Sequence, residues 1–249
     1  MSNSALVVYT KISPNKSVPR NHRIDTITIH CMAGQLTAEG CGRVFSNKNA
    51  QASSNYGVDK DGRIAMYVEE KDRSWCSSNA ANDNRAVTIE VASDSEHPYE
   101  VNDKAYKATI KLVADICRRN GIKKLVWSKD KSTRINHQNG ANMTVHRDYA
   151  NKACPGDYLY NRMGDIAEKV NAMLKESGAG KKTTLPYMVR IKSKRLDVRK
   201  APGKEGSIIA KVNKGEVYTI VEERKVGSDN WGYLKSGAGW IDLAKTEKK

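Results

Sequence analysis

The residues best equipped for chemistry fall in three separate stretches. His30 closes the apolar segment Ile27-Thr28-Ile29-His30, and Glu90 follows a similar one, Thr88-Ile89-Glu90-Val91. His146 and Cys154 bracket a polar string, His146-Arg147-Asp148-Tyr149-Ala150-Asn151-Lys152-Ala153-Cys154-Pro155-Gly156. Two imidazoles and one thiolate, with a fourth position free, make a catalytic zinc set. Nitrogen and sulfur donors favour zinc over magnesium or calcium. Strand side chains alternate faces, so His30 and Cys31 cannot serve one metal together, and Cys31 reads as core. Pro155 keeps Cys154 out of helical conformation, and the resulting loop can fold His146 and Cys154 onto one point. A His and a Cys eight residues apart are as easily unrelated, so spacing alone leaves the shared metal open. The five cysteines (Cys31, Cys41, Cys76, Cys117, Cys154) are odd in number and contain no CxxC pair, which argues against a disulfide framework.

Taken together, Ile27-Thr28-Ile29-His30, the Asp61-Gly62 turn, Thr88-Ile89-Glu90, and His146-Arg147-Asp148 followed by Lys152-Ala153-Cys154-Pro155-Gly156 resemble the type 2 zinc N-acetylmuramoyl-L-alanine amidases. That family shares its fold with phage lysozyme-type amidases and peptidoglycan-recognition proteins. The resemblance spans residues 20–174. It implies an α/β fold with a mixed central sheet flanked by helices. It also implies that His30, His146 and Cys154 hold Zn2+, with water as the fourth ligand. The reaction implied is hydrolysis of the amide between N-acetylmuramic acid and L-alanine. Lys152 stands where the family places the cation that stabilises the oxyanion. Some lineages draw their general base from a Tyr seven residues before the turn Asp, but Ser54 stands there, and Tyr56, two residues on, is out of register. Other lineages use a Glu at the end of a strand, and Glu90 fits them. Trp75 lies in a polar loop, where an aromatic either stacks on a sugar or peptide or plugs a core edge. Asn79, Asn82, Asn84 and Arg85 follow as candidates for muropeptide contacts, with Arg147 and Asp148 as supports of the metal ligands. His137 reads as structural, and His22 and His97 as incidental.

These groups need elements to position them. Ile24 to Cys31 and Ala86 to Ala92 read as strands, the second with Val87, Ile89 and Val91 on one face and Glu90 on the other. Tyr56–Val58 and Ile64–Val68 flank Lys60-Asp61-Gly62 as a hairpin. Thr37 to Asn47 reads as a helix capped by Thr37. Asp103 to Asn120 carries the clearest helical stripe, through Tyr106, Ile110, Val113 and Cys117, and stops at Gly121. Leu125-Val126-Trp127 reads as a short strand, 128–149 as a long polar loop, and Asp157 to Leu174 as a last helix. Three units follow: a catalytic domain over 1–174, a flexible linker over 175–186, and an all-β module over 187–249.

The module shows six short strands: 187–191, 196–199, 208–212, 217–221, 232–234 and 240–243. Leu196-Asp197-Val198-Arg199-Lys200-Ala201-Pro202-Gly203, Trp231-Gly232-Tyr233-Leu234 and Gly239-Trp240-Ile241 resemble bacterial SH3-like domains, small barrels that hold cell-wall hydrolases on peptidoglycan. The chain carries 43 basic against 28 acidic residues, a net charge of +15, which predicts an anionic partner. Residues 185–249 alone hold 15 basic and 8 acidic residues, a net +7. Peptidoglycan and anionic wall polymers suit that charge. Only 6% of the residues are aromatic, without a basic-aromatic motif, which gives a nucleic-acid binder little support. The longest apolar run near the start, Ala5–Tyr9, is too short for a signal-peptide core or a membrane span. The expectation is a phage or prophage endolysin without an export signal, reaching the wall after release through a holin. Two alternatives are a non-catalytic recognition module, whose mark is loss of the zinc Cys, and a cytosolic muropeptide-recycling amidase, which has no use for a wall-binding module. Cys154 is present.

Overall fold

In the computed structural model, which describes residues 2–178 and 185–249, the segments that alternate threonine with aliphatic residues become the middle of one sheet. The strands of the first unit are β1 (Val7–Thr10), β2 (Lys16–Ser17), β3 (Thr26–Cys31), β4 (Tyr56–Val58), β5 (Ile64–Met66), β6 (Arg73–Ser74), β7 (Ala86–Val91) and β8 (Met143–Val145). Six of them form a sheet in the order β1-β5-β4-β7-β3-β8, and β2 pairs separately with β6. All neighbours in the large sheet are parallel except β4 and β5, the hairpin pair. The chain divides into two compact units, Met1–Ala179 and Gly180–Lys249. No helix among the described residues is long and apolar enough to cross a membrane.

Period-two alternation sorts the central strands into two chemically distinct faces. Ile27, Ile29, Val87, Ile89, Val91, Met143 and Val145 belong to the main hydrophobic core. On the opposite face, the Thr28 and Thr144 hydroxyls lie 2.7 Å apart. The Asn82 amide donates to Thr28 at 3.0 Å and accepts from Thr144 at 2.9 Å. Thr88 meets Ser74 at 2.7 Å and accepts from the Asn55 main chain at 3.0 Å. Every hydroxyl of this buried layer has a partner, which is the condition for burying it at all.

The helices are α1 (Ala38–Ser46), α2 (Ala80–Arg85), α3 (Asp103–Arg119), α4 (Lys131–Ile135), α5 (Gly156–Tyr160) and α6 (Met163–Gly178). Thr37 caps α1, accepting from the Gly40 N–H at 3.0 Å. Ile110, Val113 and Cys117 of α3 and Met163, Ile166 and Val170 of α6 join the core against the sheet. The expected last helix is broken into α5 and α6. The latter continues to Gly178, so residues 175–178, expected as the start of a linker, are helical; Lys175 and Glu176 are good helix formers. Positions 179–184 of that expected linker lie outside the described residues.

Leu125–Trp127 is not a strand, and the strand sits instead at β8, inside the stretch expected as a loop. Asn142 explains the exchange. Its side chain accepts from the Val126 N–H at 2.8 Å, and its own N–H donates to the Val126 carbonyl at 3.1 Å. Those bonds use up the polar groups of Val126, and β8 takes the sheet edge.

In the second unit β9 (Tyr187–Ile191), β10 (Arg195–Arg199), β11 (Ile208–Asn213), β12 (Val217–Val226), β13 (Asp229–Leu234), β14 (Trp240–Asp242) and β15 (Thr246–Lys248) form one sheet, ordered β11-β10-β14-β13-β12-β9-β15. Its pairings are antiparallel. Val189, Ile191, Leu196, Val198, Val212, Ile220, Leu234 and Ile241 make its core. The seventh strand, β15, is a short Thr-Glu-Lys segment that carries no alternation signal.

Candidate active site

The register of three parallel strands assembles the site. His30 of β3 pairs with Glu90 of β7, and Ile29 pairs with Val145 of β8. His146 is the next residue after Val145, so its ring arrives beside His30, with ring centroids 5.0 Å apart. The loop after it closes on itself: the Arg147 N–H donates to the Cys154 carbonyl at 3.2 Å. That brings Cys154 Sγ to 3.4 Å from His30 Nδ1 and 3.5 Å from the Cys31 N–H. Gly156 makes the turn possible. Its φ is +79°, and a Cβ there would sit 2.5 Å from that of Tyr99.

One donor atom from each of His30, His146 and Cys154 lies within 4.8 Å of the other two. Two donors bonded to one tetrahedral zinc, at 2.0–2.1 Å for nitrogen and 2.3 Å for sulfur, stand about 3.6 Å apart. The 3.4 Å between Cys154 Sγ and His30 Nδ1 matches that spacing. Ser78 Oγ holds His146 Nε2 at 3.0 Å, leaving Nδ1 for a metal, as outer partners of ligating histidines do. Burial and the neighbouring His146 bring the His30 pKa down to about 3. Burial and Lys152 lower that of His146. Both rings are therefore neutral and able to donate to a cation. The Cys31 thiol, together with burial, pushes the Cys154 thiol up; a bound cation reverses such a shift. The residues fit zinc.

A family model described as N-acetylmuramoyl-L-alanine amidase (Amidase_2) matches residues 20–157. The chain belongs to that family. No curated protein sequence matches it. Among solved structures, the Staphylococcus aureus hydrolase AmiA in complex with its ligand is 18% identical, with a TM-score of 0.54; the match covers 69% of this chain and 84% of that one. A mutant of PlyL is 16% identical, with a TM-score of 0.50 over 66% of this chain and 98% of that one. At these identities the likeness concerns the fold.

In this amidase-family unit the Glu90 carboxyl stands next to the ligand set. Its Oε2 and His30 Nε2 are buried with no hydrogen-bond partner among the described residues. Burial, with the Cys31 thiol adding, holds its pKa well above the usual carboxylate range. The Cys76 thiol lies 4.0 Å from Glu90 Oε1, and His30, Cys76 and Glu90 form a second close group of donors. Sequence reasoning missed Cys76. Its approach depends on the β6–α2 loop, which the Asp83 carboxylate holds by accepting from the Cys76 N–H at 2.9 Å and the Ser77 N–H at 3.2 Å. The buried Arg20 guanidinium ties the segments on either side of that loop, donating to the carbonyls of Glu70, Asp72, Asp83, Asn84 and Ala86. Nothing local in the sequence marks that contact.

A cleft of about 450 Å³ opens beside His146, lined among others by Arg73, Trp75, Cys76, Asn79 and Lys152. Lys152 is exposed on its wall. Trp75 is half-buried, its indole N–H donating to Ser17 Oγ at 3.0 Å. Asn79 also caps α2, accepting from the Asn82 N–H at 2.9 Å. Arg85 is not among the lining residues; it pairs with Asp25 through two bonds of 3.0 and 2.7 Å. Tyr56 is fully buried, and its hydroxyl donates to Glu70 at 2.7 Å, away from the cleft. Asp148 lies beneath the His146 turn. It accepts from the Val145 N–H at 3.1 Å and from Arg134 at 3.0 and 2.5 Å. The Arg134 guanidinium is sandwiched near Trp127, 4.3 Å from the ring centroid. This buried pair anchors the turn that presents His146.

Proposed function

We propose that the chain is a zinc-dependent N-acetylmuramoyl-L-alanine amidase of the bacterial wall, acting as an endolysin. The observation that carries this reading is the close set of His30, His146 and Cys154 donors beside a buried, unpartnered Glu90 oxygen, in a chain of that family. His30, His146 and Cys154 hold the metal, which supplies Lewis-acid activation of water and of the scissile carbonyl when bound. Glu90 Oε2 takes the proton of the attacking water and passes it to the departing nitrogen of L-alanine. A raised carboxylate pKa makes it a stronger base near neutral pH. Lys152 offers its ammonium to the developing oxyanion, a contribution of about 3 kcal/mol for a well-placed donor. Trp75 offers an aromatic wall to the substrate. The second unit is proposed to be an SH3-like module that holds the enzyme on the wall. Its antiparallel strands and its net charge of +7 over residues 185–249 support that role.

Purified protein is expected to carry about one zinc per chain and to release new L-alanine amino termini from peptidoglycan, read by mass spectrometry with and without chelator. New reducing sugar ends in place of amino termini would rule the activity out. Cys154→Ser and His30→Ala are expected to lose metal and turnover together.

A further inference from the structure

The second unit contains a cavity of about 340 Å³, within the size range of small-ligand sites. Trp231 lines it. This indole is 3% exposed, yet it lies outside the unit's hydrophobic core, whose members come from the other face of the sheet. Its partners across the strands are Arg224 and Asp242, both polar. Its Nε1–H is buried with no acceptor among the described residues. A buried donor without an acceptor costs about 1–3 kcal/mol, and a ligand acceptor removes that cost.

The charges around it define the ligand further. Arg199 and Lys204 also line the cavity but are already engaged: Arg199 with the Lys204 and Gly206 carbonyls, and Lys204 with Asp229 at 3.0 Å. Arg195 and Lys245, also in the lining, have no ion pair among the described residues. Two carboxylates share the wall with them: Asp197, already paired with Arg199 at 3.4 Å and Lys211 at 3.8 Å, and Asp242, which has no ion pair among the described residues and whose Oδ1 accepts from the Ala244 N–H at 2.9 Å. A dense phosphate chain would meet those carboxylates unfavourably. A group with a carboxylate next to an ammonium would satisfy both signs and give Trp231 its acceptor.

We propose that this cavity binds a peptide end bearing a free carboxylate beside an ammonium group, the chemistry of a diamino acid at the end of a wall stem peptide. The carboxylate accepts from Trp231 Nε1 and faces Arg195 and Lys245, while the ammonium faces Asp242, the lining carboxylate without an ion pair among the described residues. This inference rests on the wall-binding reading of the second unit and gives it a specific ligand.

The test uses the full chain. The Trp231 indole N–H resonance, assigned with Trp231→Phe, should move on adding a synthetic stem peptide that ends in a free diamino acid. It should stay in place with the same peptide amidated at its carboxylate, and with glycerol phosphate. In sedimentation, Trp231→Phe and the double variant Arg195→Met, Lys245→Met should each bind about tenfold more weakly to sacculi stripped of phosphate polymers, the loss expected for one hydrogen bond to a charged group. The first variant keeps an aromatic ring and the second keeps Trp231, so misfolding of either is caught by the other. A resonance that follows glycerol phosphate and not the peptide overturns the proposal, as do variants that bind stripped sacculi like the parent. If the parent itself fails to sediment with any sacculi, the wall-binding reading falls with it; if the parent sediments and both variants match it, only this cavity is wrong.

Discussion

Beside His30, the Glu90 carboxyl has lost its water and gained no donor at Oε2, and its pKa rises well above the ordinary 4.5 through burial and then the Cys31 thiol. A proton held more tightly by the folded than by the unfolded chain stabilises the fold only while it is bound. That contribution is complete below the unfolded value and is lost as pH climbs through the raised folded value. In chelator-treated protein, Glu90→Gln is therefore expected to raise the melting temperature at about pH 8 and leave it unchanged at about pH 4. Equal shifts at both values would remove the buried charge as the cause. With metal restored, the same variant should keep zinc and lose at least ~100-fold in turnover, the usual worth of a general base; full activity would move the base to another residue. The face that Glu90 occupies was legible from simple alternation with Val87, Ile89 and Val91. The nearness of Cys76 was not, because it arises from a loop folded onto the Asp83 carboxylate, between segments tied together by a guanidinium more than fifty positions away in sequence.

The turn carrying His146 depends on a buried ion pair between α4 and the segment after β8. Arg134 is 1% exposed and Asp148 is 5% exposed, so removing one partner strands the other in a place water does not reach. Arg134→Met is expected to cost about 3–5 kcal/mol in urea unfolding, and Arg134→Met with Asp148→Leu to recover much of it. A single variant within about 1 kcal/mol of the parent would show that Asp148 finds other partners. Periodicity reaches elements of this kind only when they are long or cleanly alternating. The stripe on α3 and the threonine-aliphatic pattern of β3 and β7 announce themselves. β8 is three residues inside a polar stretch, and Leu125–Trp127 imitates a strand better than it does. What separates them is the Asn142 side chain, a tertiary choice invisible to a local pattern. Arg134, in the same polar stretch, likewise gives no sign from sequence that it is buried against Trp127.

Across the whole molecule, charge is divided between two compact units, and residues 185–249 carry +7 of the total +15. Removing those residues is expected to weaken sedimentation with intact sacculi while leaving hydrolysis of small soluble muropeptides at the parent rate. Binding by the full chain should fall steeply between low and moderate salt, as exposed charges are screened over about 10 Å at 0.1 M. Salt-insensitive binding would shift the weight from charge to specific contacts. The partition into two textures was visible in the sequence because their element lengths differ, whereas the continuation of α6 past its last apolar residue was not. The way the sheet is strung has one more consequence. Thr28 and Thr144 touch across 116 positions, and His30 meets Cys154 across 124. A ribosome must therefore complete almost all of the first unit before His30, His146 and Cys154 can come together. A nascent chain that stops before Cys154 holds at most two of these donors, so on the zinc reading proposed above capture of the metal follows translation of this unit, and premature termination yields products without the complete donor set.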